Sequence, residues 1–151
     1  MRYLLDTTII VDHANGFGPA TALLRGLYED GADLYICDAV TCEALSGGTD
    51  EHLSAVGALL RPLEYVATSP RAAHWAATSR LRRHREGGKL GLGDALIAGV
   101  AADLGATVVT RNRPDFERQG IEVLGYQPGA VRPGGGARFD KPKRLMGGSG
   151  G

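Results

Sequence analysis

The 151 residues are enough for one domain with its own hydrophobic core, and 43% hydrophobic with 23% charged residues is ordinary for a globular protein. The formal net charge of +0 argues neither for nor against a nucleic-acid partner, so the local charge pattern has to decide. Cys37 and Cys42 are too few for a disulfide scaffold, and we interpret both as small buried apolar residues. No apolar run approaches the roughly 20 residues of a membrane span, and Asp6 interrupts any signal-peptide core. These features predict a soluble, cytoplasmic protein without a membrane partner.

Short β-branched or aromatic runs alternate along the chain with apolar residues at helical spacing. Thr7 or Thr8 can cap the first short helix, Asp38 can cap the third, and a polar loop is expected after Thr110. In chain order the pattern predicts a strand at 2–5, helices at 9–12 and 19–30, a strand at 34–37, helices at 39–45 and 49–60, a strand at 63–66, helices at 70–86 and 94–104, and strands at 107–110 and 121–124.

Alternating strands and helices indicate an α/β domain with a mostly parallel sheet of about five strands. Right-handed crossovers place helices on both faces of such a sheet, which gives three layers, α/β/α. We assign this domain to residues 1–127. From Gly125 the periodicity vanishes and Gly, Pro, Arg and Lys dominate, so a flexible tail is predicted at 128–151. Its end, 147–151, looks like an engineered linker and is left out of the fold.

Four acids are expected at or near the edge where the parallel strands end. Asp6 ends the first strand, Glu43 lies in the helix after the second, and Asp115 follows the fourth. Ligands of open parallel sheets bind at this edge. Asp94 reaches the same edge only if its helix begins there, which two antiparallel helices between the third and fourth strands allow.

Clustered carboxylates repel one another, and each raises the pKa of its neighbours unless a cation offsets the charge. Oxygen ligands without Cys or His favour Mg²⁺ or Mn²⁺ over Zn²⁺. Such a site suits the hydrolysis of phosphodiester bonds, because a metal ion activates water and offsets the charge of the phosphate.

Each of the four acids also has an ordinary structural explanation. Two further acids are given only an ordinary explanation: Asp12 is interpreted as an acid on the side of a helix, and Asp103 as an acid at a solvated helix end. The alternatives for the other acids are a strand-end turn residue for Asp6, an exposed helix residue for Glu43, a favourable helix-start charge for Asp94 and a surface ion pair with Arg111 or Arg113 for Asp115.

Four motifs resemble those of the PIN domain, and most closely those of the small bacterial VapC-type toxins. They occur within residues 1–127, as LLDTT at 4–8, Glu43 after the second strand, GDALIA at 93–98 and VTRNRPDF at 109–116. The resemblance implies a Mg²⁺- or Mn²⁺-dependent endoribonuclease that forms a homodimer. It also implies a cognate antitoxin protein that holds the enzyme inactive.

The same resemblance assigns roles to individual residues. Thr8 corresponds to the hydroxyl behind the first acid, and Asn112 to a polar position that assists the last acid. The metal ligands are expected to be Asp6, Asp94 and Asp115, with Glu43 at the edge as a further ligand or as the group that orients the attacking water. The implied catalytic set is Asp6, Glu43, Asp94 and Asp115.

RNA that approaches an acidic site needs basic side chains around it. Arg82 and Arg83, near the end of the helix at 70–86, are candidates for RNA contacts, and Arg111 and Arg113 are candidates beside Asp115. The first pair has an alternative explanation, because cations at a helix C-terminus complement the helix macrodipole in solvent.

Three other functions compete with a metal-dependent ribonuclease. A catalytically degenerate PIN-like domain would bind RNA or protein without cutting, and the intact acidic set argues against it. A phosphotransfer receiver needs an Asp at the end of the third strand, where residues 66–68 are Val, Ala and Thr. A DNA-directed nuclease of the same superfamily ranks below an RNA-directed one, because no duplex-gripping insertion is visible.

Overall fold

Five parallel strands form one sheet in the computed structural model, which describes residues 1–126. The tail predicted at 128–151 lies outside the described residues. The strand order is β3-β2-β1-β4-β5, and every neighbouring pair is parallel, so the predicted α/β fold with a mostly parallel sheet of about five strands is confirmed. The strands are β1 (Arg2–Leu5), β2 (Asp33–Cys37), β3 (Glu64–Val66), β4 (Thr107–Thr110) and β5 (Val123–Gly125).

Helices precede and follow these strands. Within residues 1–126 no helix is long and apolar enough to cross a bilayer. The helices are α1 (Thr7–Ala14), α2 (Gly18–Glu29), α3 (Asp38–Ala44), α4 (Asp50–Leu60), α5 (Pro70–Arg85), α6 (Leu92–Leu104) and α7 (Arg113–Glu117).

Three local expectations about helix starts were wrong. Asp38 is itself the first residue of α3 and Cys37 takes the N-cap position, so Asp38 does not cap that helix. Helix α1 begins at Thr7 itself, with Asp6 at the N-cap position, so neither Thr7 nor Thr8 caps it. The segment after β4 is not only a polar loop, because α7 forms within it. Pro114 lies in the first turn of α7, where the fixed φ of proline suits a helix and its missing N–H costs no hydrogen bond.

The centre of the sheet is buried on both faces. Leu4 pairs with Val108 and Leu5 with Val109, and all four side chains are fully buried. Successive residues of a strand point to opposite faces of the sheet, so Leu4 and Leu5 lie on different faces, as do Val108 and Val109. Since all four are buried, helices cover both faces of the sheet. The backbone N–H of Asp6 donates to the carbonyl of Val109 at 3.0 Å, so the β1–β4 ladder continues to the residue where the acid emerges.

Helices α5 and α6 pack antiparallel and at close range. Ser69, the N-cap of α5, donates to Asp103 near the end of α6, while Arg80, late in α5, donates to the carbonyl of Leu90 just before α6. Gly99 allows the close approach, because a Cβ there would lie 2.3 Å from the carbonyl oxygen of Ala72. This antiparallel pair is the arrangement that lets α6 begin near the edge where the strands end.

Candidate active site at the carboxyl edge of the sheet

Asp6 is the most deeply buried acid of the site, with 1% of its surface exposed. Its Oδ2 accepts hydrogen bonds from Thr8 Oγ1 at 3.0 Å and Thr110 Oγ1 at 2.7 Å. The two hydroxyls come from α1 and from the end of β4, so they fix the carboxylate between two neighbouring strand ends. Thr8, which the resemblance singled out, thus contacts the first acid directly, whereas Thr110 was not singled out from the sequence.

Glu43 connects the first acid's segment to the start of α6. Its Oε1 accepts a hydrogen bond from Thr7 Oγ1 at 2.9 Å. On the other side lies Gly93, where a Cβ would be 3.0–3.2 Å from the three terminal atoms of the Glu43 side chain. Glycine at 93 therefore makes room for the carboxylate, and Glu43 comes to lie against the residue that precedes Asp94.

Asp94 and Asp115 are brought together by one amide side chain. Gln119 Nε2 donates to the carbonyl oxygen of Asp115 at 2.8 Å and reaches that of Asp94 at 3.5 Å. Asp94, 5% exposed, lies in the first turn of α6, and the half-buried Asp115 lies in the first turn of α7. The start of α6 is thus joined to the segment of α7, which follows β4. Gln119 was missed from the sequence, because a single Gln after a short helix belongs to no pattern.

The chemistry of these residues fits a hard divalent cation. Within the described chain, no three His, Cys, Asp or Glu side chains are grouped closely enough to hold a metal ion. The four acids nevertheless offer only carboxylate oxygens, the ligand type of Mg²⁺ and Mn²⁺. Gly93 leaves open the space between Glu43 and the start of α6 that a Cβ would fill. Binding of an ion by these acids requires their carboxylates to turn toward it.

A fifth acidic residue, Asp12, lies near the site, where the sequence predicted an ordinary helix-side acid. It is 5% exposed, and its two oxygens have separate partners. Arg111 Nη1 donates to Oδ1 at 3.1 Å, and the Tyr126 hydroxyl donates to Oδ2 at 2.6 Å. Burial and the bond to Asp12 raise the pKa of Tyr126 above its ordinary value of 10.0. The Arg111 backbone N–H also donates to Thr8 Oγ1, so this cluster borders Asp6 through Thr8.

The two arginines beside the last acid form ion pairs with other residues. Arg111 pairs with Asp12, and Arg113 pairs with Glu117 at 2.9 Å. The surface ion pair of Asp115 with either arginine, considered as its ordinary explanation, is therefore not the arrangement found. Asn112 donates its backbone N–H to Thr110 Oγ1 at 2.9 Å, and its side chain does not cap α7.

Arg82 and Arg83 share a cavity with Asp115. With Asp115 they line a cavity of about 160 Å³ between the end of α5 and α7. Of the four arginines proposed from the sequence, these two therefore face the same cavity as a candidate metal ligand. Arg111 and Arg113 are not among the residues that line it.

The remaining chemically notable groups have structural roles. Asp38 lies at the start of α3 and accepts hydrogen bonds from Ala39 and Thr68. Burial raises the pKa of Asp38, but these hydrogen bonds outweigh it and leave the pKa below its usual value. Cys37 is buried, and burial raises the pKa of its thiol to about 11. Cys42 is exposed, so the interpretation of both cysteines as buried was wrong for Cys42, which lies on the solvent side of α3.

Comparison with known proteins identifies the family. A family model of the PIN domain matches residues 3–121. Ribonuclease VapC19 of Mycobacterium tuberculosis is 31% identical over 115 residues, covering 75% of this chain and 90% of that protein. VapBC2 from Rickettsia felis, solved bound to a DNA fragment from its promoter, matches with a TM-score of 0.74 and 23% identity, over 84% of this chain and 100% of that chain. DNA-bound VapBC from Salmonella typhimurium matches with a TM-score of 0.70 and 25% identity, over 83% and 98%. The chain belongs to the PIN domain family and is homologous to the ribonuclease VapC19.

Proposed function

We propose that this protein is a VapC-type toxin that cleaves RNA internally, with Mg²⁺ or Mn²⁺ as its cofactor. The observation that carries the proposal is the meeting of four acidic segments at one edge of the sheet. Thr7 donates to Glu43, Gly93 leaves room for the Glu43 carboxylate beside α6, and Gln119 joins the starts of α6 and α7. The homologous protein named as a ribonuclease supports the reaction class.

The residues of the site have the following proposed roles. Asp6, Asp94 and Asp115 would hold the ion, and Glu43 at the edge would act as a further ligand or as the group that orients the attacking water. When bound, the ion supplies a more acidic water and offsets charge on the phosphate. Thr8 and Thr110 fix the Asp6 carboxylate, while Arg82, Arg83, Arg111 and Arg113 supply positive charge to the RNA backbone.

An antitoxin protein is the proposed partner, because similar chains occur in solved VapBC structures. We also propose a homodimer, as the family resemblance implies. The cytoplasm is the proposed location, since RNA is the substrate and neither thiol is in a disulfide.

RNA cleavage by the purified full chain tests the reaction. Single-stranded RNA should be cut when Mg²⁺ or Mn²⁺ is added and left intact with EDTA. Asp6→Asn and Asp94→Asn should each lower the cleavage rate by about 100-fold or more, because each removes a charged ligand. Asp33→Asn is the matched control, since Asp33 is exposed at the start of β2, the opposite end of the sheet.

Two outcomes would contradict the proposal. Full activity of Asp6→Asn or Asp94→Asn would remove these acids from the reaction. RNA binding without cleavage, in a protein that binds no Mn²⁺, would identify a degenerate binding module instead.

A further inference from the structure

The cavity between α5 and α7 has a floor that is closed by its own hydrogen bonds. Ser79 and Gln119 are both buried there, and Ser79 Oγ donates to Gln119 Oε1 at 2.9 Å. The amide nitrogen of Gln119 is directed to the carbonyls of Asp115 and Asp94. The residue that joins α6 to α7 therefore also forms part of the cavity floor, so the cavity borders the segments that carry Asp94 and Asp115.

The wall of the cavity carries an excess of positive charge. Four cations line it against two carboxylates, those of Glu86 and Asp115. Asp115 is also one of the four acids of the candidate active site, so cavity and site share a residue. The cations are Arg82, Arg83, Lys89 and Arg118.

Arg83 is held at this wall by a glycine. A Cβ on Gly88 would lie 2.4 Å from Nε and 2.5 Å from Cζ of Arg83, so the guanidinium lies directly on the Gly88 backbone. Glu86 approaches the same guanidinium at 3.9 Å. Lys89 and Arg118 are exposed, as is Arg82. One guanidinium is thus fixed against the backbone, while the other three cations remain open to a ligand.

We propose that this cavity binds a backbone phosphate of the RNA, one that flanks the phosphodiester bond cut beside Asp115. The inference rests on the proposed ribonuclease function and names the part of the substrate that the cavity takes. Phosphates recur along an RNA strand, so a strand whose scissile phosphate lies at the acids carries its next phosphate toward a neighbouring basic cavity. Arginine guanidiniums match phosphate oxygens in pairs, which favours a phosphate over other anions.

The test measures RNA binding separately from RNA cleavage. A fluorescein-labelled single-stranded RNA of mixed sequence is titrated with the full chain in EDTA, at several salt concentrations, and anisotropy gives the affinity. Arg82→Ala and Arg118→Ala should each lower the slope of log affinity against log salt by about 0.7, the contribution of one phosphate contact on a single strand. Arg25→Ala, an exposed arginine of α2, is the control for charge alone.

A second variant moves a cation without removing it. Gly88→Ala displaces the flexible end of Arg83 and leaves the number of charges unchanged. Its RNA affinity should fall below that of Gly57→Ala, a helical control with no atom within 4 Å of the new Cβ. Inorganic phosphate should compete with RNA for the wild-type chain and compete less for the Arg82→Ala/Arg118→Ala double variant.

The outcomes separate this inference from the proposed function. Salt slopes of Arg82→Ala and Arg118→Ala equal to that of Arg25→Ala would overturn the phosphate cavity, even in a chain that cuts RNA. If the wild-type chain does not cleave RNA but Arg82→Ala and Arg118→Ala still lower the salt slope more than Arg25→Ala does, only the proposed reaction is overturned. Binding of a poly-glutamate peptide with the same arginine dependence, in a chain that does not bind the RNA, would reassign the cavity to an acidic protein partner and overturn the inference.

Discussion

Threonine hydroxyls hold the acids at the centre of the candidate site. Thr8 and Thr110 both donate to Oδ2 of Asp6, and Thr7 donates to Glu43. Hydrogen bonds to charged groups contribute about 1.5–3 kcal/mol each, more than neutral ones. These donors are neutral hydroxyls, so the bonds hold each carboxylate in position and add no positive charge that would compete with a cation. The sequence indicates this role only in part, because a threonine such as Thr110 at the end of a strand is explained equally well by its β propensity.

Tyr126, near the end of the described chain, ties that end to the site through Asp12. Its hydroxyl donates to the Asp12 side chain at 2.6 Å, and its ring lies 6.3 Å from that of Phe17. We expect Tyr126→Phe to lower the free energy of unfolding by about 1.5 kcal/mol. Tyr28→Phe, at a tyrosine that is 78% exposed, should leave it unchanged. Urea denaturation at neutral pH measures both, and equal stability of the two variants would contradict the role of the Asp12 bond.

The pH dependence of stability provides a second test of the role of Tyr126. The pKa of Tyr126 in the folded protein lies above the ordinary 10.0, because burial and Asp12 disfavour the phenolate. Above pH 10 the unfolded chain releases this proton while the folded protein retains it, so the folded state binds more protons and stability falls as pH rises. The stabilisation is complete below pH 10. Tyr126→Phe should therefore show a shallower alkaline loss of stability than wild type.

At the scale of elements, the α5–α6 pair depends on one close backbone approach. A Cβ at Gly99 would lie 2.3 Å from the Ala72 carbonyl oxygen, and backbone cannot move aside as a side-chain end can. Gly99→Ala should therefore separate the helices and lower the free energy of unfolding by about 1–3 kcal/mol. Gly57→Ala in α4 meets nothing within 4 Å, so it should raise stability by about 0.5–1 kcal/mol through helix propensity. Thermal and urea unfolding compare the two. A Gly99→Ala variant as stable as wild type would show that the helices are free to separate.

At the scale of the whole molecule, the alternation of strands and helices could be predicted from the sequence, because a long apolar pattern repeats over many residues and tolerates single exceptions. The five strands and the order of the longer helices follow from it. Helix α7 did not, since Asn112, Pro114 and Asp115 are also typical of loops and five residues are too few for a period. The approach of the segments that carry the acids could be expected from the strand ends. The contacts that bring it about could not, because Gln119 and Gly93 act through tertiary neighbours that no local pattern reveals.

Binding of a divalent cation should stabilise the whole domain, because the three proposed ligands, Asp6, Asp94 and Asp115, come from separate segments of the chain. A ligand that binds only the folded state adds about 2.7 kcal/mol at 100 times its Kd, which for a domain of this size corresponds to a rise in Tm of about 5–10 °C. We expect Mn²⁺ to raise the Tm of the wild-type chain and EDTA to reverse the rise. Asp94→Asn should respond much less, since it loses a charged ligand at the start of α6, whereas Asp33→Asn should respond as wild type. Calorimetry at matched ionic strength, with NaCl in place of the metal salt, separates specific binding from screening. If Mn²⁺ raised the Tm of Asp94→Asn as much as that of the wild-type chain, the cation would bind elsewhere and the proposed metal site would be contradicted.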